Sequence, residues 1–209
     1  MTKFGFLKAV SIIASGSFVL FANDIVGAEE IYDQGAYGTI NVGAGKYSDI
    51  DVGGGTTQEF DTGFTYFGSI GYDFGKTFRT DVSYSGTTSS TDLGGQDLNI
   101  DTKSFMVNAY ADFPNEGSKI SPFIGAGIGT TEIDASNLCT AAANTDCTDN
   151  VFTYGIYGGV SYEISPKTDI VGQVAYLGYA DADITNLGDT FTITGSETLS
   201  AYIGLKFNF

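Results

Sequence analysis

From residue 37 onward the chain alternates apolar and polar side chains in runs of roughly ten, broken by stretches rich in Gly, Ser, Thr, Asn and Asp. A period of two places successive side chains on opposite faces of a β-strand. Eight such runs are legible, at 37–46, 64–74, 78–85, 103–113, 120–130, 151–164, 168–179 and 199–209. In the third, Phe78, Thr80, Val82 and Tyr84 oppose Arg79, Asp81, Ser83 and Ser85. In the fourth, Phe105, Val107, Ala109, Ala111 and Phe113 oppose Ser104, Met106, Asn108, Tyr110 and Asp112. In the last, Leu199, Ala201, Ile203, Leu205, Phe207 and Phe209 oppose Ser200, Tyr202, Gly204, Lys206 and Asn208. One face is thus aliphatic and aromatic, and the other carries hydroxyls, amides, glycines and charges.

The connections alternate in length. Short turns are expected at 75–77, 114–119 and 165–167, and long loops at 46–61, 86–102, 131–150 and 180–196. Even strand number with short and long connections in turn predicts an all-β fold, a closed antiparallel eight-stranded up-and-down transmembrane β-barrel with short periplasmic turns and long outer loops. Strands near ten residues suit a tilted membrane crossing, and closure satisfies edge groups that lipid cannot hydrate. Alternation alone would also fit a soluble barrel with its apolar face inside. The aromatic positions separate the two: Tyr72, Phe74, Phe78, Phe113, Tyr162 and Phe207 fall at the short-turn ends, and Phe64, Tyr66, Tyr84, Phe105, Phe152 and Tyr154 at the long-loop ends. Two such bands are what two membrane interfaces require.

Residues 1–28 read as a secretory signal peptide, leaving 29–209 as the barrel domain. Lys3 and Lys8 precede an apolar run at 9–22, and Val26-Gly27-Ala28 offers small residues for cleavage. A membrane anchor is the alternative, but the run is too short to span. Beyond it no apolar stretch is long enough for a transmembrane helix, and the near-zero mean hydropathy of +0.05 suits alternating strands. A net charge of −16 with only 9 Lys+Arg argues against nucleic-acid binding. The sequence contains no histidine, which removes Ser-His and Cys-His nucleophile pairs and imidazole zinc sites, so neither catalysis nor a cofactor is expected. Export to an oxidising compartment predicts a local disulfide between Cys139 and Cys147, with two free thiols or an incomplete metal site as alternatives.

The stretches SFMVNAYADFPNEG (104–117), KISPFIGAGIGT (119–130), FRTDVSYS (78–85) and YGGVSYEISPKTDI (157–170) resemble the opacity-protein-like, OmpA-like eight-stranded outer-membrane barrels. The terminal GLKFNF, with Phe207 and Phe209, is similar to the C-terminal signal read by the barrel-assembly machinery. The resemblance implies residence in the outer membrane, with its lipid and lipopolysaccharide as neighbours, and no catalytic activity. It also implies an extracellular ligand or host surface as a candidate partner. Ala175 departs from the family, whose members often carry Arg there. The chain runs out with the last strand, so no peptidoglycan-binding domain is expected after it.

With the polar face inward, the lumen would collect Arg79, Asp81, Asp112, Glu163, Asp169 and Lys206, together with Asn108, Tyr110, Tyr157, Gln173 and Tyr202. An eight-stranded barrel is only wide enough for side chains to fill it, and unpaired charges there would cost several kcal/mol. Arg79 and Lys206 are therefore expected to be tied to Asp81, Asp112 or Glu163. Two readings stand: a packed polar plug or a narrow gated ion path. The outer loops are acidic, with Asp49-Ile50-Asp51 and Asp181-Ala182-Asp183 as paired carboxylates. They read as solvated surface or as divalent-cation bridges to anionic glycolipid. The leading function is a structural or adhesion-type surface barrel, and the alternatives are a small-solute channel and, more remotely, a membrane enzyme.

Overall fold

The computed structural model describes residues 34–209 apart from 49, 52–56, 59–61, 76, 94–95, 116, 135–147, 187–188 and 194–195. The leader residues 1–28, Cys139 and Cys147 lie outside the described residues. Among the described residues twelve strands are formed: β1 (Gly35–Tyr47), β2 (Ile50–Asp51), β3 (Thr57–Gln58), β4 (Gly63–Asp73), β5 (Phe78–Leu93), β6 (Gln96–Asp112), β7 (Ile120–Asp134), β8 (Thr148–Ser165), β9 (Thr168–Tyr179), β10 (Ala182–Asn186), β11 (Asp189–Ile193) and β12 (Glu197–Asn208). Eight of them close into one antiparallel barrel in the order β1-β12-β9-β8-β7-β6-β5-β4, with β4 returning to β1. Val42 of β1 faces Ile203 on one side and Tyr66 on the other, and the Phe209 amide donates to the Ala36 carbonyl at 3.0 Å. The seam between first and last strands is therefore hydrogen-bonded, and no barrel edge is left open.

The side-chain distribution is inverted relative to a soluble barrel. Ile40, Ile70 and Ile203 are 68%, 73% and 63% exposed on the outer surface, whereas Arg79 and Asp81 are each 4% exposed. Eleven of the twelve residues of the two expected aromatic bands are exposed on the outside, with Phe207 half-buried, and neighbouring rings touch, as in Tyr72–Phe74–Phe78 and Tyr66–Tyr84. An apolar exterior with a polar interior is stable only in lipid. Among the described residues no helix is long and apolar enough to cross a membrane; the crossing is made by strands.

The short turns are built locally. After β4, Gly75 adopts φ +86°, a left-handed conformation that glycine reaches without penalty, and its amide donates to Asp73 Oδ1 at 2.9 Å. The long connections depart from the sequence reading. Residues 86–102, expected as a loop, continue β5 and β6 as a ribbon paired as far as Leu93↔Gln96. The reason is legible afterwards: Thr and Ser keep the strand going, and Gly94-Gly95 is a two-residue hairpin signal. Smaller ribbons, β2–β3 and β10–β11, occupy parts of the first and last long connections.

Candidate functional site

The interior of the barrel is the candidate site, and it has two chemically different halves. At the short-turn end, Arg79 on β5 donates through Nε to Asp112 on β6 at 2.9 Å. Its guanidinium lies 4.1 Å from the Tyr110 ring centre, 4.8 Å from Phe123 and 5.5 Å from Tyr37. The arginine is thus paired on one side and enclosed by π-faces on the others, the arrangement that compensates a buried cation. Lys206 on β12 pairs with Asp169, directly opposite on β9, at 3.4 Å. Asp81 has a different environment. It accepts hydrogen bonds from Tyr37 Oη (3.0 Å), Ser69 Oγ (2.9 Å) and Asn108 Nδ2 (2.7 Å). Three neutral donors, rather than a cation, hold this carboxylate.

The sequence reading therefore needs two corrections. Glu163, expected to be tied up in the lumen, keeps the lumen phase at the turn-end mouth but is exposed to solvent and takes part in none of the ion pairs among the described residues. In register it opposes Asp169, and a β-bulge follows it, between Glu163 and Ser165. Two carboxylates facing each other with a single lysine repel; Asp169 takes Lys206, and Glu163, near the end of β8, is left to solvent. Lys206 accordingly pairs with Asp169 and with none of the three carboxylates expected for it. Sequence reasoning also passed over Tyr37 and Phe67, which are inward and buried. Tyr37 was available from phase alone, since it shares the odd-numbered face of Thr39 and Asn41.

Midway up the barrel, rings close the section. Phe123, Tyr110, Tyr157, Phe67 and Tyr202 contact one another in series with centroid distances of 5.6 to 6.4 Å. Several lie across a glycine on a neighbouring strand: a Cβ on Gly125 would overlap the Tyr110 ring, and one on Gly159 would overlap the Gly172 carbonyl and the Phe123 ring. The bare glycines make room for the rings. Asn108 Oδ1 and Asn41 Oδ1 nest in the same way over Gly127 and Gly204.

Above the rings, the half toward the long loops is lined by hydroxyls. Thr65 Oγ1 lies 3.0 Å from both Thr87 Oγ1 and Tyr202 Oη. Thr131 joins Ser104 at 2.7 Å and Thr153 at 2.6 Å, and Tyr47–Thr102 and Tyr179–Thr198 pairs stand higher still. All four charged residues among the buried set, Arg79, Asp81, Asp169 and Lys206, belong to the other half. On the outer surface, Lys103 and Glu132 form an exposed pair at 2.9 Å. Three buried polar atoms on adjacent strands β1, β9 and β12 make no hydrogen bond: Asn41 Oδ1, Gln173 Nε2 and Ser200 Oγ. Among the described residues no group of three or more His, Cys, Asp or Glu side chains could hold a metal ion. Asp49, one of the two paired-carboxylate candidates, lies outside them.

Closed eight-stranded topology, an apolar exterior with two aromatic bands and an interior filled by polar and aromatic side chains define a transmembrane outer-membrane β-barrel. The chain belongs to the outer membrane protein beta-barrel domain family, which matches residues 19–208. No curated protein matches the sequence. Among solved structures, neisserial surface protein A superposes with a TM-score of 0.62 at 18% identity, covering 83% of this chain and 97% of that one. OprG from Pseudomonas aeruginosa superposes with a TM-score of 0.58 at 14% identity, covering 85% and 97%. OprH from the same organism gives 0.51 at 16%, covering 84% and 99%. Identities this low establish the shared fold. The protein resides in the outer membrane.

Proposed function

We propose that this protein is a non-enzymatic surface barrel whose lumen is a load of packed side chains and whose function lies in its acidic outer loops and ribbons, in envelope integrity or adhesion-type contact. One observation carries the reading: across the middle of the barrel Asn108, Tyr110, Phe123, Tyr157 and Tyr202 are 1%, 2%, 2%, 3% and 6% exposed, which leaves no water-wide bore. Function in such a scaffold belongs to the segments it presents. In the same reading, residues 1–28 are removed on export, Cys139 and Cys147 staple the outer connection between β7 and β8, and Phe207 and Phe209 are read by the barrel-assembly machinery. The acidic loops approach lipopolysaccharide through bridging divalent cations. The absence of histidine from the sequence supports the non-enzymatic assignment.

A second reading, a narrow path for very small polar solutes, is favoured by the unpartnered Asn41 Oδ1, Gln173 Nε2 and Ser200 Oγ on one wall. Buried polar atoms without partners are costly and are ordinarily satisfied by water. Single-channel recording of the refolded mature protein, after a heat-dependent gel shift has verified the barrel, separates the two. Silence is expected. Discrete, reproducible steps that disappear in Gln173→Leu would replace the plug with the path.

A further inference from the structure

Beyond the barrel wall β5 and β6 continue as a ribbon, and one flank of that ribbon offers backbone to a partner. β5 is paired to β4 as far as Phe64↔Thr88, and β6 to β7 as far as Asp101↔Asp134. From there, among the described residues, the two strands pair only with each other, up to Leu93↔Gln96. The five steps from Thr88 to Leu93 make roughly 16 Å of strand. At the usual tilt of about 35–45° they rise about 12–13 Å above the rim.

Successive residues of an antiparallel strand turn their N–H and C=O to opposite flanks. The Asp112 amide donates to Thr77, on the β5 side, and the Phe113 amide to Pro122, on the β7 side. The register of β6 is unshifted on both sides, so its odd-numbered residues present their backbone toward β7 throughout. Above Asp101, the N–H and C=O of Asp97 and Asn99 therefore point out from the β6 flank of the ribbon. Such an edge is a template for a further strand. The devices that commonly blunt an edge are missing from it: residues 86–102 hold no Pro, Lys or Arg, and the β5–β6 ladder has no bulge.

Charge selects the occupant. Residues 86–102 and 131–150, which carry the β5–β6 and β7–β8 connections, hold seven carboxylates and no basic residue. Lys103, next along β6, is taken by Glu132 at 2.9 Å. A second copy laid edge to edge would set this acidic ribbon against itself, which like charge disfavours. We infer that the β6 flank of the ribbon takes an extended, Lys- or Arg-rich polypeptide segment as an added strand. The backbone of Asp97 and Asn99 supplies the ladder, and the surrounding carboxylates select positive charge. The inference rests on the surface-contact reading proposed above and gives that contact a partner class, a cationic polypeptide.

The test uses the full barrel in mild detergent, its fold verified by the heat-dependent gel shift, with a decapeptide of alternating Lys and Val as the probe. Amide hydrogen exchange over residues 96–100 reports the added strand, and fluorescence anisotropy of the labelled peptide reports affinity. The peptide is expected to slow exchange of these amides. The same peptide N-methylated at every other amide keeps its charge and should bind more weakly by on the order of tenfold. A Glu–Val decapeptide should not bind. Asn99→Pro removes one outward N–H without touching the β5–β6 ladder and should weaken binding, whereas Asn99→Ala should not. Asp97→Pro stands in for Asn99→Pro should that variant fail to fold. Asp97→Asn combined with Asp101→Asn should lower affinity and flatten its salt dependence. Equal binding of the N-methylated peptide would overturn the proposal, because charge alone would then account for it. Slow exchange of the Asp97 and Asn99 amides in the free barrel would also overturn it, because residues 135–147 or a second copy would already fill the flank. Conductance steps would remove the surface-contact reading by a separate measurement, so the two failures are told apart.

Discussion

The two halves of the lumen solve the same problem by different means. Both are buried, polar and enclosed by the same eight strands. The turn half uses charge: Arg79 with Asp112, Lys206 with Asp169, and Asp81 inside a set of neutral donors. The loop half uses hydroxyls alone, each small and able to donate or accept. A charged network is directional and strong, and losing one partner strands the other. A hydroxyl network is redundant, because a rotated hydroxyl finds another acceptor. The turn half should therefore fail abruptly under mutation, and the loop half by small steps.

Arg79→Met is the sharpest way to break that contrast. It leaves Asp112 without its cation and opens the space among three rings. Because Asp112 keeps some access to solvent, a loss of about 3 kcal/mol is expected, at the lower end for a broken buried pair. Urea unfolding followed by the heat-dependent gel shift measures it, and an unchanged midpoint would remove the charge network as a source of stability. Gly125→Ala should follow at about 1–3 kcal/mol, since the added methyl displaces the Tyr110 ring that covers the guanidinium. Thr131→Val removes the hydroxyl that joins Ser104 to Thr153 and should cost about 1 kcal/mol by the same assay. If it rivals Arg79→Met, the redundancy argument fails. Lys103→Gln at the exposed outer pair is the smallest change, with no resolvable shift of the midpoint, because solvent screens such pairs.

How much of this was legible beforehand differs between the wall and the plug. The inward and outward assignment of the strands followed from phase, since a one-residue slip would send every side chain to the wrong face. The interior charges Arg79, Asp81 and Asp112 were placed by the same rule. What phase could not supply was pairing. Lys206 meets Asp169 because β9 and β12 are neighbours in a particular register, and that information is not local. Glu163 keeps the lumen phase opposite Asp169, but phase does not tell that a residue this close to the end of β8 stands in solvent rather than in the plug. Phe67 was passed over because an apolar residue on a polar face reads as an irregularity, although a narrow lumen needs bulk of any polarity to fill it. The β5–β6 ribbon has its sequence signal in Gly94-Gly95, which the loop-like Ser, Thr, Asn and Asp composition around it obscures.

The nesting of rings and amides over bare glycines has a consequence for how this sequence can drift. Substitution tolerance normally rises as side chains shrink, and the smallest residue is the easiest to replace. Here the order is reversed at Gly71, Gly125, Gly127, Gly159 and Gly204, where any added carbon meets a neighbour well inside contact distance. A saturation library scored for surface display should show near-complete intolerance at these positions. Lipid-facing Ile40 or Ile203 should meanwhile accept most apolar replacements. The barrel is therefore most constrained where the chain contributes least matter, and a lineage of such proteins would be traced better by its gaps than by its side chains.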